Sequence, residues 1–183
     1  MELTGGPRKL PAHINDQNEL RVDSDKALRD NLEFGNYFII HTLDVDAAAN
    51  DTVLACRNDG DTLFCIDRVS GEGIDVDAIF ALHIVTATYT NAGLAVVPVA
   101  TNGAVTGGRG FSGASLTCTN DETGNTQGTQ IKGFQNADAA TGPSGFDWEP
   151  VGGLYLRRGM MLGLDVVGEP AAGTFTYEGH FVV

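Results

Sequence analysis

At 183 residues, 42% of them hydrophobic, the chain is long enough for one domain with a sizeable core, with or without an arm. A formal net charge of −13 sets its surface against nucleic-acid phosphates and anionic lipids, so neither nucleic acid nor membrane is an expected partner. Three cysteines do not make a disulfide framework, no apolar run is long enough to span a bilayer, and residues 1–7 lack the basic and apolar regions of a signal peptide.

The first thirty residues carry five basic and six acidic groups, and the rest carry six basic and eighteen acidic. A near-neutral leading segment on an acidic body points to an arm with its own job. Residues 1–33 therefore read as an extended N-terminal arm, and residues 34–183 as the folded domain. Pro7 and Pro11 are expected to block regular strand pairing. Residues 24–32 (SDKALRDNL) fit a short helix, with Asp23 or Ser24 as its N-cap. Leu3, Leu10, Ile14, Leu20 and Val22 offer apolar contacts to a partner, and Arg8, Lys9 and Arg21 offer salt-sensitive ones.

From Phe34 the pattern turns to strands. Residues 36–43 are β-branched and aromatic. Residues 52–56 and 63–69 flank Asn58-Asp59-Gly60-Asp61, which predicts a β-hairpin that brings Cys56 near Cys65. Residues 78–89 form the longest apolar run. Alternation points Phe80, Leu82 and Ile84 one way, and Ile79, Ala81, His83 and Val85 the other. In a sandwich only one face of a strand meets the partner sheet. A neighbouring subunit or the chain's own arm should cover the other face, and Ile79, Ala81, His83 and Val85 are the expected oligomer interface.

Residues 94–100 read as a strand in which Pro98 demands an edge or a bulge. Shorter strands follow at 114–119 and 129–134. Residues 102–113, 120–128 and 136–150 read as polar, glycine-rich loops. The last strands are expected at 153–158, 160–167 and 174–183. No helical periodicity is visible after residue 33. Short strands joined by glycine-rich turns predict an all-β antiparallel β-sandwich, jelly-roll-like in its connections.

Chemistry-bearing residues are sparse. His13 lies in the arm, and His41, His83 and His180 fall inside apolar strands as expected for buried, hydrogen-bonded imidazoles. Glu178 and His180 share one strand face, but two ligands do not make a metal site, so no metal and no cofactor are expected. The pairs Asp44/Asp46, Asp59/Asp61, Asp75/Asp77 and Asp121/Glu122 lack EF-hand spacing and read as solvated turns. Residues 107–113 (GGRGFSG) lack the P-loop lysine, and no G-x-S-x-G elbow occurs. With no catalytic set in view, the chain reads as non-enzymatic. Cys56, Cys65 and Cys118 read as small buried residues. Trp148, with Tyr155 and Tyr89, is a candidate platform for stacking on a sugar.

The run at 153–167 (GLYLRRGMMLGLDVV), a short loop, and then 174–183 resemble the last strands of jelly-roll virion proteins. The segment 11–22 (PAHINDQNELRV) resembles the N-terminal segments of structural proteins of tailed bacteriophages, and the stretch 52–69 fits the same pattern. The resemblance implies a virion protein made in the host cytoplasm, of the capsid decoration or cement type. Such a protein would bind the major capsid protein or another virion protein and form a homotrimer. A second class stays open, a carbohydrate- or receptor-binding module of a phage tail, with Trp148 and Tyr155 as its platform. A small enzyme of cupin-like shape is a third.

Overall fold

The computed structural model describes residues 3–5, 10–14, 20–22, 36–74, 77–86, 93–101, 112–123, 127–136 and 144–182. Three short strands come first: β1 (Leu3–Gly5), β2 (Leu10–Ile14) and β3 (Leu20–Val22). They pair in that order as an antiparallel meander, separate from the sheets of the body.

The body begins with β4 (Tyr37–His41), β5 (Val45–Ala47), β6 (Thr52–Asn58), β7 (Phe64–Ile74) and β8 (Ala78–Val85). It continues with β9 (Leu94–Val96), β10 (Val99–Ala100), β11 (Leu116–Asn120) and β12 (Gln127–Asn136). It ends with β13 (Ser144–Trp148), β14 (Leu154–Leu156), β15 (Met161–Val167) and β16 (Ala171–Phe181). One sheet runs β10-β4-β16-β7-β13, with β5 beside β16 and β14 beside β7. The other runs β12-β8-β15-β6-β11-β9. Every pairing is antiparallel. Within these sheets, β4-β16-β7-β13 faces β6-β15-β8-β12. Those eight strands, taken in chain order, give the arrangement of a jelly roll. Strands β9, β10 and β11 are an insertion that widens both sheets.

The core lies between the sheets. Strand β16 shows why, because buried and half-buried residues alternate along all of it. Phe175, Tyr177 and Phe181 point inward and meet Phe38, Phe64 and Phe80. Burying each such side chain contributes about 1.5–3 kcal/mol. The Tyr177 hydroxyl crosses the layer and donates to the Leu54 carbonyl at 3.0 Å, which ties one sheet to the other.

Several expectations need correction. Strands β6 and β7 do not form a hairpin, because they belong to different sheets. Residues 58–63 form a corner between the layers. Asn58 organises it: its side-chain oxygen accepts from Gly60 N, and its amide donates to the carbonyls of Thr62 and Leu156. A turn-forming sequence thus serves a change of sheet. As a result Cys56 lies opposite Cys118 rather than near Cys65. All three cysteines are free and buried, as expected.

Pro11 sits inside β2 opposite Thr4, so it does not prevent pairing. The described register with β3 begins only at Ala12, so the missing proline N–H interrupts no described β2–β3 pair there. Residues 144–148 form β13 and not a loop. Phe146 and Trp148 drive this by packing against Phe134 at the rim of the core. The strand expected at 94–100 is cut at Val97-Pro98 into β9 and β10, which take outer positions in different sheets. The helix expected at 24–32 lies outside the described residues.

The proposed oligomer interface is also corrected. Ala81, His83 and Val85 are covered within the chain, at 8%, 1% and 8% exposed, while Ile79 is 51% exposed. Val85 packs with Ala55 and Met161. His83 Nδ1 lies 3.0 Å from Asp165 Oδ2, and the Thr52 hydroxyl donates to Asp165 Oδ1. These neighbours stand on adjacent strands of the same sheet, so three of the four expected interface residues are buried in the folded chain and only Ile79 stays open.

Candidate functional site

The outer face of the β4-β16-β7 sheet gathers the polar side chains that the core excludes. On β16, Glu178 and His180 point outward between inward Tyr177 and Phe181. His180 pairs with Tyr37 on β4 and with Cys65 on β7. The β7–β16 register slips between Glu178 and Gly179, so Asp67 is an extra residue between Ile66 and Arg68. This β-bulge turns Cys65, Asp67 and Arg68 to the same face, while Phe64, Ile66 and Val69 stay in the core.

The result is a cleft of about 500 Å³ lined by Tyr37, Asp67, Arg68, Glu149, Glu178 and His180, with Gly152 and Gly153 at one side. His180 Nδ1 lies 2.6 Å from Asp67 Oδ2. The Cys65 thiol points at Asp67 Oδ1, 3.5 Å away. The Tyr37 ring stacks on the imidazole, with the planes 9° apart. The Tyr37 hydroxyl donates to Glu178 Oε2 at 3.2 Å. Arg68 donates two bonds to Asp147, at 2.8 and 2.7 Å, and one to Glu178 at 3.0 Å.

These contacts set the protonation states. Burial first, and then the Asp67 carboxylate, push the Cys65 thiol up to about 12. Burial and Glu178 hold the Tyr37 phenol well above its ordinary range. The Arg68 guanidinium holds Asp147 below the usual carboxylate range. A cysteine nucleophile needs a nearby base that favours the thiolate. Here aspartate stands between thiol and imidazole and favours the protonated thiol. The trio is therefore poorly set for nucleophilic attack. It does bring together a sulfur, a carboxylate oxygen and an imidazole nitrogen, all within 4.8 Å of one another. Of the residues lining the cleft, sequence reasoning singled out Glu178 and His180 as a possible ligand pair. The Cys65-x-Asp67 spacing on a strand was a usable signal, but its pairing with β16 was not.

The other sequence candidates fall elsewhere. Leu3 lies in β1, Leu10 and Ile14 in β2, and Leu20, Arg21 and Val22 in β3; Arg8 and Lys9 lie outside the described residues. Trp148 and Tyr155 do not form one platform. Trp148 pairs with inward Val69 and packs on Phe134, whereas Tyr155 pairs with outward Cys65. Tyr89 lies outside the described residues.

An apolar surface lies at the corner made by β9 and the segment after β4. Leu43, Leu94 and Val97 are 83%, 73% and 58% exposed, and they line one groove of about 390 Å³ with His41 and Asp44. Among the described residues, strand β9 is the last in its sheet.

No family model matches the chain, and no curated protein matches it. Among solved structures, one of infectious bursal disease virus, Gx strain, aligns at 11% identity with a TM-score of 0.15. The alignment covers 79% of this chain and 42% of that one, and a likeness at that level carries no argument about fold or function.

Proposed function

We propose that this chain is a non-enzymatic structural protein of a virion, of the capsid decoration type. In this reading it associates with copies of itself, as a trimer, and docks on the major capsid protein or another virion protein. The observation that carries the protein-docking part is the groove of Leu43, Leu94 and Val97 beside β9, the last described strand of its sheet. Three large aliphatic side chains held in water at one corner favour association. The corner replaces the β8 face as the expected contact. The virion assignment rests on the sequence resemblance, and the jelly-roll strand order supports it. The protonated Cys65 favours the non-enzymatic reading.

The near-neutral segment 1–30 supplies the second contact. It lacks the net charge of the body, so it can approach an acidic shell without that repulsion. The test is sedimentation and capsid binding with three proteins: the intact chain, a Leu43→Asp/Leu94→Asp double variant, and a chain without residues 1–30. The expected outcome is that the double variant sediments as a monomer and the truncated chain stays folded but detaches. A monomeric intact chain that neither associates nor binds shells would overturn the reading. Capture of the intact chain on immobilised glycans would favour a tail receptor-binding module instead.

A further inference from the structure

We propose that Cys65, Asp67 and His180 form a binding site for a single divalent transition-metal ion of the zinc class. Three independent observations converge on it. The first is the donor set. Thiolate sulfur, imidazole nitrogen and carboxylate oxygen are the three side-chain ligand types of zinc sites, and this trio supplies one of each. Calcium and magnesium, which take oxygen ligands, do not suit a site built on sulfur and nitrogen.

The second is geometry. With metal–ligand bonds of about 2.0–2.3 Å, ligand atoms in a tetrahedral site stand about 3.3–3.6 Å apart. The Cys65 sulfur is 3.5 Å from Asp67 Oδ1, His180 Nδ1 is 2.6 Å from Asp67 Oδ2, and one ligand atom from each of the three residues lies within 4.8 Å of the others. Rotation of the Asp67 side chain is needed to present one oxygen to an ion shared with both. The ligands stand on paired strands of the body rather than on long loops, so their spacing is held by the β7–β16 ladder.

The third is the surroundings. Asp67, Glu149 and Glu178 outnumber Arg68 around the cleft, and Arg68 is engaged by Asp147 and Glu178. The field therefore favours a cation. Tyr37 stacks on His180 and fixes its ring. Gly153 lies against the sulfur: a Cβ there would stand 2.2 Å from it. Asp67 and His180 line the cleft, which gives an ion and a water ligand a path to the site.

Binding is balanced by proton movements. The Cys65 thiol loses its proton to water as the S–metal bond forms. His180 would coordinate through a ring nitrogen that carries no hydrogen, and the thiol proton is released as the ion binds.

The experiment titrates the full chain with Co²⁺ and then displaces it with Zn²⁺, each ion added alone. The expected result is one Co²⁺ per chain, with a thiolate-to-cobalt charge-transfer band in the near ultraviolet that Zn²⁺ abolishes. Cys65→Ser should remove the band, and His180→Gln and Asp67→Asn should each weaken binding at least tenfold. Cys118→Ser, checked for folding by circular dichroism, should leave the band in place. The intact-chain titration is decisive even if a variant misfolds: no thiolate band at one equivalent of bound Co²⁺, or no binding at all, overturns the proposal. A band that survives Cys65→Ser overturns it equally. Failure here leaves the docking groove untouched, because the groove is read by sedimentation and lies on other strands.

Discussion

The side-chain amide of Asn58 donates to the Leu156 carbonyl at 2.8 Å, joining residues ninety-eight positions apart across the corner between the two sheets. The same amide donates to Thr62 O, and its oxygen accepts from Gly60 N. Asn58 is fully buried. Asn58→Ala removes all three bonds, the one to the buried Leu156 carbonyl among them. The expected cost is about 3 kcal/mol. Urea denaturation measures it, and a loss below about 0.5 kcal/mol would show that the corner is held by other contacts.

Two glycines with nearly the same backbone angle separate strain from crowding. Gly153 has φ +76° and Gly159 has φ +78°, but a Cβ meets Cys65 Sγ only at Gly153. Gly159→Ala should cost about 1 kcal/mol, from the left-handed backbone alone. Gly153→Ala should cost roughly 3 kcal/mol, because crowding adds to the same strain. Equal losses in paired thermal melts would mean that Cys65 moves aside freely.

Asp59 predicts an acid dependence with a definite sign. Burial works against its charge, but hydrogen bonds from Thr117 and Arg57 outweigh it and hold the carboxyl below its ordinary value of 3.8. As pH falls through that value the unfolded chain takes up the proton before the folded one does. This contribution is complete above about pH 5 and disappears as pH drops through the folded value. The Arg57–Asp59 pair is more than a third exposed, so the effect is at most about 1 kcal/mol. Thr117→Val should flatten the fall in stability between pH 5 and 3, on the order of that size. Unfolding curves across that range test it, and an unchanged slope would contradict it.

Cys118 faces Cys56 across the β11–β6 ladder, and both thiols are buried in the core. Burial, and then Cys56, raise the Cys118 thiol well above its ordinary range. It behaves as a small apolar side chain. Cys118→Ala should cost about 1–2 kcal/mol and leave the oligomeric state unchanged. Dissociation on sedimentation, with folding intact, would show that this part of the sheet touches another subunit.

The sandwich was legible because strand signals are local. The β-branched and aromatic run at 36–43 and the apolar runs at 160–167 and 174–183 lie along single segments, and β4, β15 and β16 form there. Proline at position 98 marked an edge for the same reason, since its missing N–H follows from its chemistry alone. Strand β13 was hidden because its apolar residues, Phe146 and Trp148, sit among glycines and acids. Phe80 and Phe134, on other strands, give them something to pack on.

What the sequence by itself determined was therefore the all-β class, the many turns and the acidic surface, because each depends on residues close together in the chain. Pairing between distant strands was decided only in three dimensions. Asn58-Asp59-Gly60 is compatible with a hairpin or a corner, and the choice rests on Leu156 and the rest of the layer it meets. The outward-facing cluster has the same origin. Cys65 and His180 are far apart in sequence, and they meet because β7 and β16 are neighbours and a bulge at Asp67 resets which side chains face out. On the second face of β8, Ala81, His83 and Val85 are buried in the folded chain beside Ala55, Met161 and Asp165 of the neighbouring strands, while Ile79 stays exposed.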